Sequence, residues 1–185
     1  MKTEIDRYEI RLAGAGGQGL ILAGIILAEA VAIYDGRNAI QTQSYGPEAR
    51  GGASRAEVII SDGPIHYPKV MHADVLLALS QEACDKYFFD LKPDGILIVD
   101  SGHVERLPSS QALRLPIMQM AVEATGRPLT ANMVALGFIS GLTQIVSRPS
   151  LEKAVTARVP KGTAEANLKA LAAGWDAAEG APKQR

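Results

Sequence analysis

The sequence predicts a three-layer α/β domain with a largely parallel sheet, a β-hairpin insertion and C-terminal helices. Short apolar runs at residues 75–79 and 96–99 are typical of strands buried on both faces of a parallel sheet. Helix-like segments separate these runs, as in alternating α/β proteins. A glycine-rich turn at residues 14–19 joins the first predicted strand to a long apolar helix. With 185 residues, the chain is expected to form one domain, residues 1–185.

The first part of the chain alternates between strand and helix patterns, apart from one polar loop. We expect a strand at residues 8–13, a helix that is apolar on nearly every side at residues 18–33, a second strand at residues 38–43 and a glycine-rich loop at residues 44–52. Alternation over residues 53–60 predicts a third strand, and the turn after it should return the chain as a hairpin arm at residues 65–67. A helix that is apolar all round must be buried, so the first helix should lie between the sheet and another layer.

The rest of the chain supplies more strands and then becomes helical. We expect a buried strand at residues 74–80, a helix at residues 81–91, a second buried strand at residues 96–99 and an edge strand at residues 113–117. Pro116 is tolerated better at an edge than in the middle of a sheet. Helices are expected at residues 118–125, 132–146, 151–159 and 163–178. Gly137 and Gly141 should leave a flat strip that another helix or a partner can approach.

Composition and charge narrow the classes of function. The 20 acidic and 19 basic residues nearly cancel, so no general attraction to nucleic acid or to an anionic membrane is expected. Hydrophobic residues make up 47% of the chain and aromatic residues only 5%, as in a core built from Ala, Ile, Leu and Val. The N-terminus lacks the apolar core of a signal peptide. The longest apolar-rich run is too short to span a bilayer, so a cytoplasmic location is expected.

The turn at residues 14–19 is the first candidate binding site. Gly14, Gly16 and Gly19 have the spacing G-x-G-x-x-G, with Gly17 and Gln18 between them, where a predicted strand meets a predicted helix as in a Rossmann-like fold. Glycine lets the backbone turn sharply and lets a ligand approach closely. The first amides of the helix are then unpaired and partly positive, and a phosphate is their usual occupant. A tight, closely packed turn without a ligand explains the same glycines.

A nicotinamide dinucleotide site should also have an acidic residue at the end of the second strand, about 20 residues further on, which binds the ribose. That strand is expected to end at Gln43 and Ser44, and Asp35 lies in the turn before it. The sequence therefore lacks the main confirmation of such a site.

The polar loop at residues 44–52 is the second candidate. Arg50 can bind a phosphate or a carboxylate through two parallel hydrogen bonds, and Gly51 and Gly52 expose backbone amides beside it. Glu48 can pair with Arg50 or with a basic group of a partner. The alternative is a surface ion pair between Glu48 and Arg50 that binds nothing else.

Other kinds of site have little support in the sequence. His66, His72 and His103 lie in separate segments without a close pair of metal ligands. The single cysteine, Cys84, excludes an intrachain disulfide framework and a cysteine-ligated iron–sulfur cluster, and its expected state is a buried, inert thiol. No G-D-G motif precedes a distant asparagine pair, so the chain alone is not expected to bind thiamine diphosphate.

Four short segments stand in order at characteristic separations. They read GGQG, YGPEARGG, LSQEA and NMVALG, at residues 16–19, 45–52, 79–83 and 132–137. Together they resemble the gamma subunit of the 2-oxoacid:ferredoxin oxidoreductases, a family that includes pyruvate, 2-oxoglutarate and 2-ketoisovalerate enzymes. The resemblance covers roughly residues 8–146. Indolepyruvate oxidoreductases have a related subunit, but their corresponding loop differs from SYGPEARGG.

The resemblance implies one subunit of a cytoplasmic hetero-oligomer, inactive alone. The implied partners are alpha and beta subunits, with or without a delta subunit, which would carry thiamine diphosphate, magnesium and the iron–sulfur clusters. Such a complex decarboxylates a 2-oxoacid, forms the acyl-CoA and passes electrons to ferredoxin. The expected 2-oxoacid is 2-oxoglutarate, with the others left open because the substrate pocket lies largely in other chains.

Coenzyme A, a substrate of the complex, is implied to bind partly to this chain. Its expected contacts come from both loops: Gly14, Gly16, Gly17, Gln18, Gly19, Arg50, Gly51 and Gly52. Contacts to a partner or within the loops are expected for Tyr45, Glu48 and Asn132, and no catalytic or metal-binding residue is expected in this chain. A free-standing dinucleotide-binding oxidoreductase and a purely structural assembly subunit remain the alternatives.

Overall fold

The computed structural model describes residues 4–44, 53–109 and 111–181. Within these residues, six strands form one sheet: β1 (Tyr8–Ala15), β2 (Asn38–Ser44), β3 (Ala53–Ser61), β4 (Ala73–Ala78), β5 (Leu91–Asp100) and β6 (Leu113–Leu115). The α-helices are α1 (Leu20–Glu29), α2 (Gln81–Tyr87), α3 (Ile117–Thr125), α4 (Ala131–Thr143), α5 (Arg148–Arg158) and α6 (Ala164–Glu179). A π-helical turn (Ala30–Tyr34) extends α1, and short 3-10 turns (Phe88–Asp90 and Pro128–Thr130) follow α2 and precede α4.

The sheet has the strand order β2-β3-β1-β4-β5-β6. Strands β1, β4, β5 and β6 run parallel to one another, whereas β3 is antiparallel to both of its neighbours. The predicted α/β domain with a largely parallel sheet and C-terminal helices is therefore confirmed. β1 lies where the parallel part of the sheet meets the antiparallel part.

The two faces of the sheet are covered unequally. Ile10 and Leu12 of β1 belong to the main hydrophobic core, together with residues of α1, α3, α4, α5 and α6; we call this side the helical face. Ala13 points the other way, because strand side chains alternate, and it packs in a smaller cluster with Cys84 and Tyr87 of α2. We call this side the α2 face. Among the described residues, α2 is the α-helix that covers it.

The hairpin predicted at residues 53–67 does not form, and β3 pairs with other strands. Residues 65–67 form no strand, and β3 pairs instead with β2 on one side and with β1 on the other. Since β3 already has a partner along each edge, the segment after it has no edge to join. It is held by Arg7, whose guanidinium donates to the carbonyl oxygens of Tyr67 and Lys69 at 2.9 and 2.8 Å.

The helix predicted at residues 81–91 is shorter than expected, and the strand after it is longer. α2 ends at Tyr87, and β5 begins at Leu91, which pairs with Ala73 of β4. The register between β4 and β5 then shifts before Val75 pairs with Ile96. Residues 92–95, which separate the predicted helix from the predicted strand, therefore lie inside an irregular strand.

The glycine strip predicted on the long C-terminal helix is filled by the chain itself. A Cβ atom on Gly137 of α4 would lie 2.0 Å from the carbonyl oxygen of Leu171 in α6. A Cβ atom on Gly174 of α6 would lie 1.9 Å from the carbonyl oxygen of Val134 in α4. The two helices thus meet backbone to backbone, which only glycine permits. None of the helices in the described part of the chain has both the length and the apolar character needed to cross a membrane.

Candidate functional site

The candidate site lies at the carboxyl ends of β1 and β4. These neighbouring strands are parallel, and the helices that follow them pack on opposite faces of the sheet, α1 on the helical face and α2 on the α2 face. The divergence of the two helices opens a crevice beyond the strand ends. In open α/β sheets, ligands bind at such switch points.

The turn between β1 and α1 has the backbone conformation that its glycines predict. Gly17 and Gly19 have positive φ angles of 88° and 71°, which side chains with a Cβ atom rarely adopt. Gly16 faces open space, with no described atom within 4 Å of the position of a Cβ. Gly14 is needed for packing, because a Cβ there would lie 3.2 Å from that of Leu79 and 2.2 Å from the side-chain oxygen of Gln18.

Gln18 braces the turn from inside. Its Oε1 accepts a hydrogen bond of 2.8 Å from the backbone amide of Ala15, and its Nε2 donates a weak one of 3.5 Å to the carbonyl oxygen of Leu79, just after β4. The side-chain amide therefore ties the ends of the two central strands together. In this arrangement Gln18 shapes the turn, and its amide is already engaged.

Asn132 connects the turn to the C-terminal third of the chain. It is buried near the start of α4, and its Nδ2 donates to the carbonyl oxygen of Gly19 at 3.0 Å. Its Oδ1 accepts from the backbone amide of Met133 at 2.9 Å. A Cβ on Gly19 would lie 2.5 Å from Asn132 Nδ2, so glycine at position 19 is required by contact as well as by its φ angle.

The amino ends of the two diverging helices differ in their hydrogen bonding. Ser80 caps α2, because its hydroxyl accepts from the backbone amide of Ala83 at 3.2 Å. α1 begins after Gly19, and within the described part of the chain no side chain caps it. The first amides of α1 thus retain their hydrogen-bonding capacity and their partial positive charge. They can bind an anion that enters the crevice.

The second predicted loop cannot be placed in the same detail. Tyr45, Glu48, Arg50, Gly51 and Gly52 lie outside the described residues, so their roles stay predictions. The strands that flank this loop are described: β2 ends at Ser44, and β3 begins opposite Ala15, the last residue of β1. The chain therefore enters and leaves this loop at the edge of the sheet where the glycine turn lies.

Two polar groups at this edge were not identified from the sequence. Ser54, at the start of β3, has its hydroxyl 3.4 Å from the carbonyl oxygens of Gly14 and Ala15. Asp100, the buried last residue of β5, contacts His103 Nδ1 and accepts from the backbone amide of Met118 at 3.1 Å. The only signal in the sequence was their position at a strand end: Ser54 is the second residue of the strand predicted at residues 53–60, and Asp100 directly follows the one predicted at residues 96–99.

The remaining candidates are the single cysteine and the side chains that could bind a metal. Cys84 is buried, as expected, and burial, with the charge of Asp85 as a smaller cause, raises the pKa of its thiol. It is therefore a protonated, weakly nucleophilic thiol at neutral pH. Among residues 4–44, 53–109 and 111–181, no group of three or more His, Cys, Asp or Glu side chains could hold a metal ion.

Known proteins resemble both this sequence and this fold. The family model described as pyruvate ferredoxin/flavodoxin oxidoreductase matches residues 9–177. The 2-oxoglutarate synthase subunit KorC of Methanocaldococcus jannaschii is 51% identical over 177 residues, which make up 94% of this chain and 95% of that protein.

Two solved structures share the fold. The gamma subunit of a keto/oxoacid ferredoxin oxidoreductase from Geobacter sulfurreducens PCA superposes with a TM-score of 0.85 at 53% identity, over 95% of this chain and 98% of that chain. The second structure is the 2-oxoglutarate:ferredoxin oxidoreductase of Magnetococcus marinus, solved with 2-oxoglutarate, coenzyme A and succinyl-CoA bound. It also superposes with a TM-score of 0.85, at 26% identity. That match covers 97% of this chain and 32% of the other. Since the family match spans nearly the whole sequence and the fold agrees, the chain belongs to the pyruvate ferredoxin/flavodoxin oxidoreductase family.

Proposed function

We propose that this chain is the gamma-type subunit of a 2-oxoglutarate:ferredoxin oxidoreductase and that its glycine turn helps to bind coenzyme A. The observation that carries the proposal is the uncapped amino end of α1, which opens into the crevice beside Gly16. A helix amino end with glycines before it suits a diphosphate, and coenzyme A contains one. The relative from Methanocaldococcus jannaschii is a 2-oxoglutarate synthase subunit, which favours 2-oxoglutarate as the 2-oxoacid.

In the proposed complex, other subunits perform the redox chemistry. Alpha and beta subunits, with or without a delta subunit, carry thiamine diphosphate, magnesium and the iron–sulfur clusters, and they pass electrons to ferredoxin. The gamma-type chain positions coenzyme A for acyl transfer and supports the assembly. Its contribution to catalysis is thus binding and orientation, supplied by backbone amides of the turn together with Gly51, Gly52 and Arg50 of the second loop.

A charge placed at Gly16 tests the coenzyme A site. Gly16 has space for a side chain and lacks a positive φ angle, so Gly16→Asp and Gly16→Asn should both fold. The aspartate puts a negative charge beside the proposed phosphate, which costs about 1–4 kcal/mol for two charges about 4 Å apart. We expect Gly16→Asp to weaken coenzyme A binding to the assembled complex by about fivefold or more, measured by calorimetry.

The isosteric Gly16→Asn variant is the matched control and should lose much less affinity. Thiamine-dependent decarboxylation in the absence of coenzyme A should remain unchanged in both variants. Equal affinities for the two variants and the wild-type complex would contradict a phosphate at the turn and favour a purely structural subunit. Binding of a nicotinamide dinucleotide to the isolated chain would instead favour a free-standing oxidoreductase.

Arg50 supplies an independent test of the second loop. If its guanidinium binds a phosphate of coenzyme A, Arg50→Ala should weaken coenzyme A binding by about 1.5–3 kcal/mol, the range for hydrogen bonds to charged groups. Decarboxylation before acyl transfer should be affected much less. The measurement is the apparent affinity for coenzyme A together with the subunit stoichiometry of the mutant complex. Unchanged affinity in an intact complex rejects a role for Arg50.

A further inference from the structure

The α2 face of the sheet is only partly covered. α2 is seven residues long and packs mainly beside β1 and β4, through Ala13, Leu76 and Ala78. On the same face, Ile40 and Thr42 of the edge strand β2 remain half-buried. The sheets of α/β proteins are normally covered on both faces. Within the described part of the chain, this face therefore remains incompletely covered at β2, whereas Arg11, Ile59 and Leu76 of the other strands are buried on it.

Three large apolar side chains are exposed on the α2 face. Phe89 is 84% exposed, Met71 54% and Tyr67 49%. Their backbone segments are anchored by alternate residues of β1 and by the residue just before it. Asp90, next to Phe89, pairs with Arg11. The amide of Met71 donates to Glu9, and the carbonyl oxygen of Tyr67 accepts from Arg7. Because same-face residues of a strand are about 7 Å apart, the three segments lie side by side.

A groove lies beside Phe89. It has a volume of about 270 Å³ and is lined on its apolar side by Phe88, Phe89, Leu91, Pro93 and Leu97. An aromatic ring that stands exposed next to a concave apolar surface is typical of an anchor point in a protein interface.

The same face carries an arginine, Arg55, whose guanidinium N–H groups are incompletely paired within the described residues. Arg55 of β3 is 33% exposed, and its Nε is 3.5 Å from Glu57 Oε1, an oxygen that Arg11 already engages at 2.8 Å. Its guanidinium lies over the Tyr87 ring, 5.4 Å from the centroid, and within the described residues it donates no hydrogen bond. Stacking thus fixes the orientation of the guanidinium while leaving its donors available for a carboxylate.

The helical layer differs in the pairing of its arginine. Its exposed large apolar residues are Ile33 and Tyr34 after α1, and Val122 and Leu129 beside α3. A groove of about 560 Å³ adjoins Tyr34, but Arg148, which contacts Glu152 of that groove, is also paired with Asp176. In the described part of the chain, an exposed aromatic ring, an adjoining apolar groove and an oriented, incompletely paired arginine occur together on the α2 face.

We propose that the α2 face binds a different subunit of the same oxidoreductase, which inserts an apolar side chain beside Phe89 and presents a carboxylate to Arg55. The proposal rests on the proposed function only in requiring that the chain works in a hetero-oligomeric complex. An exposed aromatic ring near an oriented, incompletely paired arginine fits a protein partner with a hydrophobic anchor and an acidic residue next to it.

Two matched pairs of substitutions test the proposal in the complex reconstituted from co-expressed subunits. Phe89→Asp should weaken association with the other subunits at least tenfold, whereas Leu129→Asp, at a residue 76% exposed in the helical layer, should not. Arg55→Glu should weaken association, and Arg127→Glu, at an exposed residue between α3 and α4 in the helical layer, should leave it unchanged. The readouts are subunit stoichiometry and the dissociation constant by analytical ultracentrifugation. Melting temperatures of the isolated variants confirm that each one folds.

Several outcomes overturn the proposal. It fails if Phe89→Asp has no effect, if Leu129→Asp has the larger effect, or if the wild-type chain associates with none of the other subunits. It also fails if the isolated chain forms a dimer that Phe89→Asp dissociates, because the occupant is then a second copy. Coenzyme A affinity is not a readout here, so failure of the Gly16 test and failure of this one are distinguishable.

Discussion

Replacing Gly174 by alanine is expected to lower the free energy of unfolding by about 2–3 kcal/mol, in the upper part of the range for overpacked cores. The added methyl would lie 1.9 Å from the carbonyl oxygen of Val134 and 2.8 Å from the amide nitrogen of Phe138. Both atoms are backbone, so relief requires α4 and α6 to separate. The better helix propensity of alanine, about 1 kcal/mol, offsets only part of this cost. Thermal unfolding should show a melting temperature lower by roughly 4–12 °C.

Gly180→Ala is the control for this substitution. Gly180 ends α6, lacks a positive φ angle, and the nearest atom to an added Cβ is 3.9 Å away. The free energy of unfolding of the Gly180→Ala variant should differ from that of the wild type by less than about 1 kcal/mol. Gly137→Ala should behave like Gly174→Ala, since its methyl would meet the Leu171 carbonyl at 2.0 Å. Equal melting temperatures for the Gly174 and Gly180 variants would show that the two helices separate at little cost.

The second large effect is expected at Arg11, at the centre of a buried ion network. Its Nε donates to Glu57 Oε1 at 2.8 Å, its Nη1 contacts Asp90, and its Nη2 donates to the carbonyl oxygen of Val70 at 3.3 Å. Arg11→Met leaves Glu57 buried without its main cation. Removing one partner of a buried pair costs about 3–5 kcal/mol, so we expect a loss of that size, measured by urea denaturation.

The double variant Arg11→Met, Glu57→Met separates the two possible origins of this loss. It removes the stranded carboxylate and should recover most of the stability. A double variant as unstable as Arg11→Met alone would show that packing of the guanidinium, including its contact with Tyr87 at 5.2 Å, matters more than charge. As an exposed control, Arg106→Met breaks the surface pair with Asp85 and should cost about 0–1 kcal/mol.

Features that depend on local pattern could be predicted from the sequence. The buried strands at residues 75–79 and 96–99 are continuous apolar runs, and both lie in the observed sheet except for Leu79, which directly follows β4. The glycine turn was recognisable because strand, turn and helix each leave a distinct signature. Gly137 and Gly141 were correctly interpreted as a strip that a helix approaches.

Features that depend on distant pairing could not be predicted. β3 could have paired with β1, with β2 or with the segment after the turn. The alternation of apolar and polar residues in β3 does not distinguish among these partners. Gly174 lies in an amphipathic segment in which nothing marks it as the residue that meets α4. The hydrogen bond from Gln18 Nε2 likewise depends on Leu79, 61 positions away. The second loop, Tyr45 to Gly52, carries sequence predictions that the described residues do not test.

The hydrogen bond from Asn132 to Gly19 spans 113 positions of the chain, and this separation fixes the order in which the crevice can form. During synthesis the strand, turn and first helix emerge long before α4, so the turn forms its hydrogen bond with Asn132 only later. α4 in turn is held by α6, the last helix, through contacts that glycine makes possible. Contacts of such high sequence separation form late, because the loop between them must close first. A nascent chain that lacks its last helix therefore has every residue of the turn but lacks the support that fixes its shape. We therefore expect the proposed coenzyme A site to form only after the C-terminal segment leaves the ribosome.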